Sequence, residues 1–226
     1  MRDRPPVSLA EAMRRSFEAA AEPFANWIAS SGRVPSCAKG CAACCELLAL
    51  ITWPEAALLA EHLITRGLVA KHLPALQEQA RRASFDGLDA DSYWQARIPC
   101  AFLAPDRSCA VYDVRPGPCR WHLAYTAPAA CEDRTPGTEI QGCDEGEPTR
   151  VVVLPLLAEM ARQVGDVAYE AAPIPIMVLA ALQDLGQDVG EITSPRAWLD
   201  RHGARVWAYH RRAWQRSPLP AQVHHG

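Results

Sequence analysis

Four cysteines lie within nine residues of one short stretch of the sequence, at Cys37, Cys41, Cys44 and Cys45. Thiolates are soft ligands, and clusters of them suit zinc or iron–sulfur centres. If a helix begins at the second of these cysteines, the last three occupy positions i, i+3 and i+4 and share one face. The first would reach them from the preceding turn. The stretch therefore predicts a metal site.

A second group of cysteines, Cys100, Cys109 and Cys119, follows further along the chain. Helical segments separate it from the first group, and we expect them to fold the second group back onto the first. Cys131 and Cys143 bring the total to nine cysteines. In a reducing compartment, cysteines in such number favour metal ligation over disulfide bonds.

The composition is that of an ordinary globular chain. Its 226 residues suffice for one domain with a substantial core, and the hydrophobic fraction of 49% and charged fraction of 22% are usual for a soluble protein. The formal net charge of -3 gives no reason to expect a nucleic acid or an anionic membrane surface as a partner.

The first residues of the chain carry scattered charges and lack the apolar stretch of a signal peptide. No apolar run approaches the roughly 18 residues of a membrane span. We therefore expect a cytoplasmic protein, in which thiols stay reduced.

Capping signals and apolar periodicity predict a mainly α-helical fold. Ser8 with Glu11, and Thr52 with Glu55, each form the sequence of a capping box, and Pro54 suits the first turn of the second helix. The predicted helices cover about residues 9–31, 41–50, 52–66, 68–83, 92–97, 174–185 and 195–216, the last interrupted at Gly203. Residues 151–172 are also predicted to be mostly helical, with a strand as the alternative at 151–154.

Periodicity disappears between residues 98 and 148, a region rich in proline and glycine that holds five of the nine cysteines. A loop of that length inside a compact domain needs something to hold it, and metal ligation is a candidate. We therefore divide the chain into an N-terminal helix (1–36), a metal-binding region (37–147) and a C-terminal helical region (148–226) packed on the same domain.

In the first cysteine group, Cys37, Cys41 and Cys44 have the spacing C-x3-C-x2-C. This spacing resembles the cluster motif of radical-SAM enzymes. Those enzymes hold the motif in a loop of a β/α barrel, whereas this sequence shows no alternation of strands and helices. The adjacent Cys45 also falls outside that pattern.

The two groups read together resemble the YkgJ-type cysteine cluster family, a zinc- or iron-chelating domain with the pattern C-x(2-3)-C-x2-C-C, then C-P-F-L, then C-x-[I/V]-Y-x2-R-P-x2-C-R. The first group matches at Cys37, and the later motifs match at C-A-F-L from Cys100 and at C-A-V-Y-D-V-R-P-G-P-C-R from Cys109. Ala101 stands where the family has proline. The resemblance covers residues 37–121.

This resemblance implies that seven cysteines are ligand candidates: Cys37, Cys41, Cys44, Cys45, Cys100, Cys109 and Cys119. Seven thiols exceed one tetrahedral site, so two metals or one cluster with accessory cysteines would be required. Cys131 or Cys143 could supply an eighth ligand, or both could be free thiols. His122 lies three residues after Cys119, a spacing that would let both bind one metal.

Three further residues of the second motif have a candidate role beside a cofactor. Arg115 and Arg120 would lie next to an anionic cluster, where guanidinium donors to sulfur would raise its potential. Arg115 could instead cap a helix or pair with a carboxylate. Tyr112 could aim its hydroxyl at the site or pack its ring in a small core.

The expected cofactor is an iron–sulfur cluster, with [4Fe-4S] favoured, or zinc. An iron–sulfur centre would make the protein an oxidoreductase or an electron-transfer component with a protein redox partner. The competing class is a zinc-stabilised fold that binds a protein partner without catalysis. A more distant alternative is SAM-dependent methyl transfer to protein lysine, because the flagellin lysine methylase carries a similar cysteine pattern.

Overall fold

The architecture is mainly helical. The computed structural model describes residues 8–38, 40–133, 140–142 and 171–216, with the side chains of the last helix described as far as Val206. Eight α-helices lie in this part of the chain: α1 (Leu9–Ser30), α2 (Trp53–Thr65), α3 (Val69–Arg82), α4 (Ala90–Gln95), α5 (Gly117–Trp121), α6 (Pro128–Glu132), α7 (Ile174–Asp184) and α8 (Pro195–Arg216). The predicted fold class is confirmed.

Short elements complete the described chain. Two 3₁₀ helices lie at Ala43–Glu46 and Tyr112–Val114. Strand β1 (Leu50–Thr52) pairs antiparallel with β2 (Ala171–Pro173), with Ile51 opposite Ala172. Each strand runs directly into a helix, so this small ribbon sets α2 and α7 side by side.

The first helix begins where the sequence predicts. The hydroxyl of Ser8 accepts a hydrogen bond from the Glu11 amide at 3.2 Å, which satisfies one of the free amides of the first turn. The carboxylate of Glu11 does not complete the predicted capping box, because it accepts from the guanidinium groups of Arg14 and Arg15. Pro23 lies inside the helix without ending it.

The capping box of α2 is confirmed. The amide and the hydroxyl of Thr52 both donate to Oε2 of Glu55 at 2.7 Å. Apolar residues cover much of the circumference of α2, which packs against α1 on one side and α7 on the other. Leu59 and Leu63 are fully buried, so this helix lies in the centre of the core.

One apolar cluster includes residues from all three predicted segments of the chain. Met13 and Phe17 contribute from α1, and Leu179 and Leu182 from α7. The irregular region enters the same cluster through Ile98, Phe102, Val111 and Trp121. Burial of these side chains holds much of the region to the core, in addition to any metal.

Polar side chains of α3 also hold the start of the irregular region. Gln79 accepts from the Ala101 amide at 2.9 Å and donates to the Tyr93 hydroxyl at 3.1 Å. Nδ1 of His72 lies 3.1 Å from the Ala101 carbonyl oxygen. Because all of these groups are buried, their pairing removes a desolvation cost that unpaired groups would carry.

The predicted helix at residues 41–50 is wrong. Only Ala43–Glu46 is helical, and as a 3₁₀ turn in which the Cys45 amide donates to the Ala42 carbonyl at 3.0 Å. The chain then extends and enters β1, whose backbone groups pair with β2 more than a hundred residues away. This long-range pairing overrides the local apolar pattern.

The predicted interruption of the last helix at Gly203 is also wrong, because α8 continues from Pro195 to Arg216. A glycine inside a helix costs about 1 kcal/mol. Trp198, His202 and Val206 lie one helical turn apart and are buried on one face, and this packing outweighs that cost. The predictions for residues 151–170 and for Cys143 lie outside the described residues, and Ala171 and Ala172 form strand rather than helix.

In the part of the chain described here, the structure contains no helix with the length and apolar character needed to cross a membrane.

Replacing Trp198 with phenylalanine should destabilise the fold by about 1–3 kcal/mol. The indole of Trp198 is 1% exposed and donates to the Ala83 carbonyl at 2.7 Å, so phenylalanine leaves that buried oxygen unpaired. Urea unfolding measures the loss, and Leu185→Ala, at a position 48% exposed, is the control. Equal stabilities of the two variants would contradict this role for the indole.

Candidate metal centre

Two short loops bring the second cysteine group onto the first. The Cys100 amide donates to the Cys45 carbonyl at 2.8 Å, which joins the two groups through the backbone. The chain then turns back on itself, with the Ala104 amide donating to the Ser108 carbonyl at 2.8 Å. An isolated bridge between Leu103 and Cys109 closes this turn. Cys100 and Cys109 therefore lie at the two ends of one tight loop.

Cys119 reaches the same place from α5. The Cys119 amide donates to the Pro116 carbonyl at 3.0 Å, and α5 packs against β1. Oε1 of the buried Glu55 accepts from the Gly117 amide at 2.7 Å, which ties the first turn of α5 to α2. The five residues of α5 are too few to form a stable helix alone, so these contacts set its position.

Four thiols interact electrostatically at this point: Cys44, Cys100, Cys109 and Cys119. Burial raises the pKa of Cys100 to about 12, with further increases from Cys109 and Cys44. Burial also raises the pKa of Cys119 well above its usual value, and the other three thiols add to it. The pKa of Cys44 is raised by its hydrogen bond to Cys45 and by burial. We call these four residues the inner thiols.

We call Cys37, Cys41 and Cys131 the outer thiols, and Cys45, which lies beside Cys44, belongs to neither set. Cys37 is exposed, and its sulfur accepts from the Ala124 amide at 3.3 Å. Burial raises the pKa of Cys131, and the charges of Cys37, Cys41 and Cys44 add to it. Cys44 therefore interacts with both sets.

The loop carrying Cys37 is pinned to the segment before α6. The amide of Ser36 donates to the Ala124 carbonyl at 2.8 Å, and its hydroxyl donates to the carbonyls of Ala124 and Thr126. The helix α6, which contains Cys131, packs against the 3₁₀ helix that contains Cys44 and Cys45. These contacts bring the outer thiols to the edge of the inner set.

The donor set fits a soft or borderline metal. Four partly buried sulfurs match the ligands of zinc and of iron–sulfur clusters. A bound cation would also reverse the mutual repulsion of these thiolates, because coordinating thiols are deprotonated. Among the described residues, no three His, Cys, Asp or Glu side chains are already arranged as a metal-ligand group.

Arg115 lies beside the inner thiols without donating a described hydrogen bond to sulfur. Its guanidinium carbon lies 4.1 Å from the centre of the Tyr112 ring, and its charge opposes the rise that burial causes in the pKa of Cys109. Its Nε is buried without a hydrogen-bond partner. Tyr112 is 49% exposed, which places the ring under Arg115 rather than in a small core.

Arg120 donates to the backbone. Its Nε reaches the Arg115 carbonyl at 2.7 Å and an Nη reaches the Asp113 carbonyl at 2.6 Å. Its guanidinium carbon lies 4.3 Å from the centre of the Phe17 ring. The residue therefore fastens the loop before α5 to α1, and its predicted hydrogen bond to sulfur remains a prediction.

Two other residues lie near the inner thiols. The charge of His122 lowers the pKa of Cys44 against the larger effects that raise it, so the imidazole is close to this thiol. Glu55 was predicted only as a helix cap, because its contact with Gly117 spans 62 positions of sequence and leaves no local signal. Cys143 lies outside the described residues.

The fold and site define a mainly α-helical protein with a cysteine-rich region packed onto its core. Residues 36–144 match a family model named CxxCxxCC, whose description is "Putative zinc- or iron-chelating domain". The match covers the segment in which the cysteine pattern predicts this family. No curated protein and no solved structure matches the chain.

Proposed function

We propose that the protein binds an iron–sulfur cluster, with [4Fe-4S] favoured, or zinc, and that Cys44, Cys100, Cys109 and Cys119 hold it. The observation that supports this most is the proximity of four partly buried thiols from separate loops, since Cys44, Cys100 and Cys109 all raise the pKa of Cys119. All-thiolate ligation is usual for [4Fe-4S] clusters and for structural zinc. We place the protein in the cytoplasm, where such thiols stay reduced.

If the bound group is an iron–sulfur cluster, we propose that the protein has a redox or electron-transfer role with a protein partner. A cluster at the inner thiols would supply one-electron chemistry. The chain's own contribution is to shield the inner thiols partly from water and to present the positive charge of Arg115 beside Cys109. Positive charge near a ligating sulfur raises the reduction potential. The exposed Cys37 and its loop mark the face on which a partner could approach.

Burial of the inner thiols also favours a second candidate, a structural zinc site. Structural zinc takes four closed ligands, whereas catalytic zinc keeps an open position. Cys100 and Cys119 are both strongly desolvated, which suits a closed site. The protein would then be a zinc-stabilised fold that binds a partner without catalysis.

Metal content and colour separate the two candidates. Protein purified without oxygen should contain iron and acid-labile sulfide and absorb broadly in the visible range if the cluster is present. One or two zinc ions per chain in a colourless protein would support the structural role instead. Protein purified without metal that gains none from added zinc, or from iron with sulfide, would overturn both.

A further inference from the structure

Glu55 is a buried carboxylate that connects two parts of the site. Its side chain extends from the first turn of α2, and the residue is 6% exposed. Oε2 accepts from the amide and hydroxyl of Thr52, while Oε1 accepts from the amide of Gly117. All three partners are donors, which suits an ionised carboxylate.

The contact at Gly117 leaves little space for a side chain. A Cβ built at this position would lie 3.1 Å from Oε1 of Glu55 and 3.1 Å from Nε1 of Trp121. Both neighbours are buried, so neither could move into solvent to make room. The close approach of the carboxylate to the backbone therefore depends on glycine at this position.

The position of α5 depends on a small number of contacts. Trp121, at its end, packs its ring against Phe17 and Phe24 of α1, with centroid distances of 6.4 and 4.5 Å. At its start, the hydrogen bond from Gly117 to Glu55 is the described contact with α2. Cys119 lies between these two ends, two residues after Gly117.

We infer that Glu55 is a positioning residue for the metal centre: through Gly117 it holds α5 so that Cys119 faces the other inner thiols. This inference rests on the proposed function. Without Glu55, the Trp121 end of α5 stays anchored and its packing against β1 remains, but the Gly117 end loses its hydrogen bond to α2, so the helix can pivot. The sulfur that moves is that of Cys119, whereas Cys100 and Cys109 are held by their own loop.

The test compares Glu55→Gln with Thr52→Val in the full chain. Glutamine keeps one acceptor oxygen and replaces the other with an NH2 group, so the amides of Thr52 and Gly117 compete for a single acceptor. Valine removes only the Thr52 hydroxyl and leaves the link to Gly117 intact. Zinc affinity, measured by competition with a chelator, should fall about tenfold or more in Glu55→Gln, the size seen when support of a ligand is lost. Thr52→Val should change it less than about twofold.

A second readout needs no metal. In the metal-free protein, the rate of alkylation at each cysteine is measured by mass spectrometry. Cys119 should react faster in Glu55→Gln than in the wild type, while Cys100 and Cys109 keep their wild-type rates. A merely structural role would accelerate all three thiols together, as partial unfolding does.

The results of these two experiments test the role of Glu55 separately from the proposed function. Equal zinc affinities in the two variants, or a uniform rise in alkylation, overturn the role of Glu55 and leave the proposed function in place. A wild-type chain that binds no metal overturns the proposed function, and the alkylation pattern then decides the position of α5 by itself. Gly117→Ala should reproduce the Glu55→Gln pattern, because its Cβ displaces Oε1.

Discussion

Replacing Cys100 with alanine should weaken metal binding by about 100-fold or more, whereas replacing Cys37 with alanine should change it only a few-fold. The apparent free energy of structural zinc binding is about 10–16 kcal/mol, so each of four equal ligands contributes about 3 kcal/mol. Cys100 belongs to the inner thiols, whose pKa values rise through one another. Cys37 is exposed and lies at the outer edge.

The comparison is informative because both cysteines belong to the family pattern and the sequence alone ranks them equally. Metal bound per chain and the dissociation constant are measured for both variants under reducing conditions. Far-UV circular dichroism and urea unfolding of the metal-free forms provide the control, since Cys100 packs against the apolar core and its replacement has to leave that core folded. Equal losses of affinity in the two variants would contradict the division into inner and outer thiols.

Local signals account for the parts of the fold that the sequence predicts well. Ser8 begins α1, and Thr52 with Glu55 begins α2, because capping depends on side chains three residues apart. Gly186 follows α7 with a φ of +78°, a conformation that glycine adopts without strain. Each of these features is settled within a few residues of sequence.

The two helix predictions that are wrong have one physical cause, which is contact between residues far apart in the sequence. Residues 41–50 carry an apolar run, but Leu50–Thr52 finds hydrogen-bond partners in Ala171–Pro173, which no local pattern reveals. Gly203 breaks the local helix pattern, yet burial of Trp198 and Val206 on one face keeps α8 continuous. In both places tertiary packing outweighs propensity.

The candidate metal centre also combines features that the sequence predicts with features that depend on long-range contacts. Cysteine type and spacing identify the candidate ligands, because few other residues bind soft metals. Which cysteines meet depends on the Cys45–Cys100 backbone hydrogen bond and on the loop closed at Cys109. Arg120 illustrates the limit of the pattern: its guanidinium is near the site, but backbone carbonyls accept its hydrogen bonds.

Removing the metal with a chelator should open residues 100–121 without unfolding the whole chain. The apolar core of α1, α2 and α7 contains fully buried residues such as Leu58, Leu59 and Leu182, and none of its helices carries an inner thiol. The irregular region has little regular backbone pairing of its own, so ligation would supply much of its order. Loss of metal therefore affects this region first.

Hydrogen exchange followed by mass spectrometry measures this difference within one sample. With free metal at about 100 times its dissociation constant, binding stabilises the closed form by about 2.7 kcal/mol, so chelation should accelerate exchange in residues 100–121 by about 100-fold. The segment 53–65, which forms α2, should keep its exchange rate and serves as the internal control. Equal acceleration in both segments would show that the metal supports the entire fold, whereas no acceleration in either would show that Gln79, His72 and the buried Phe102 hold the region alone.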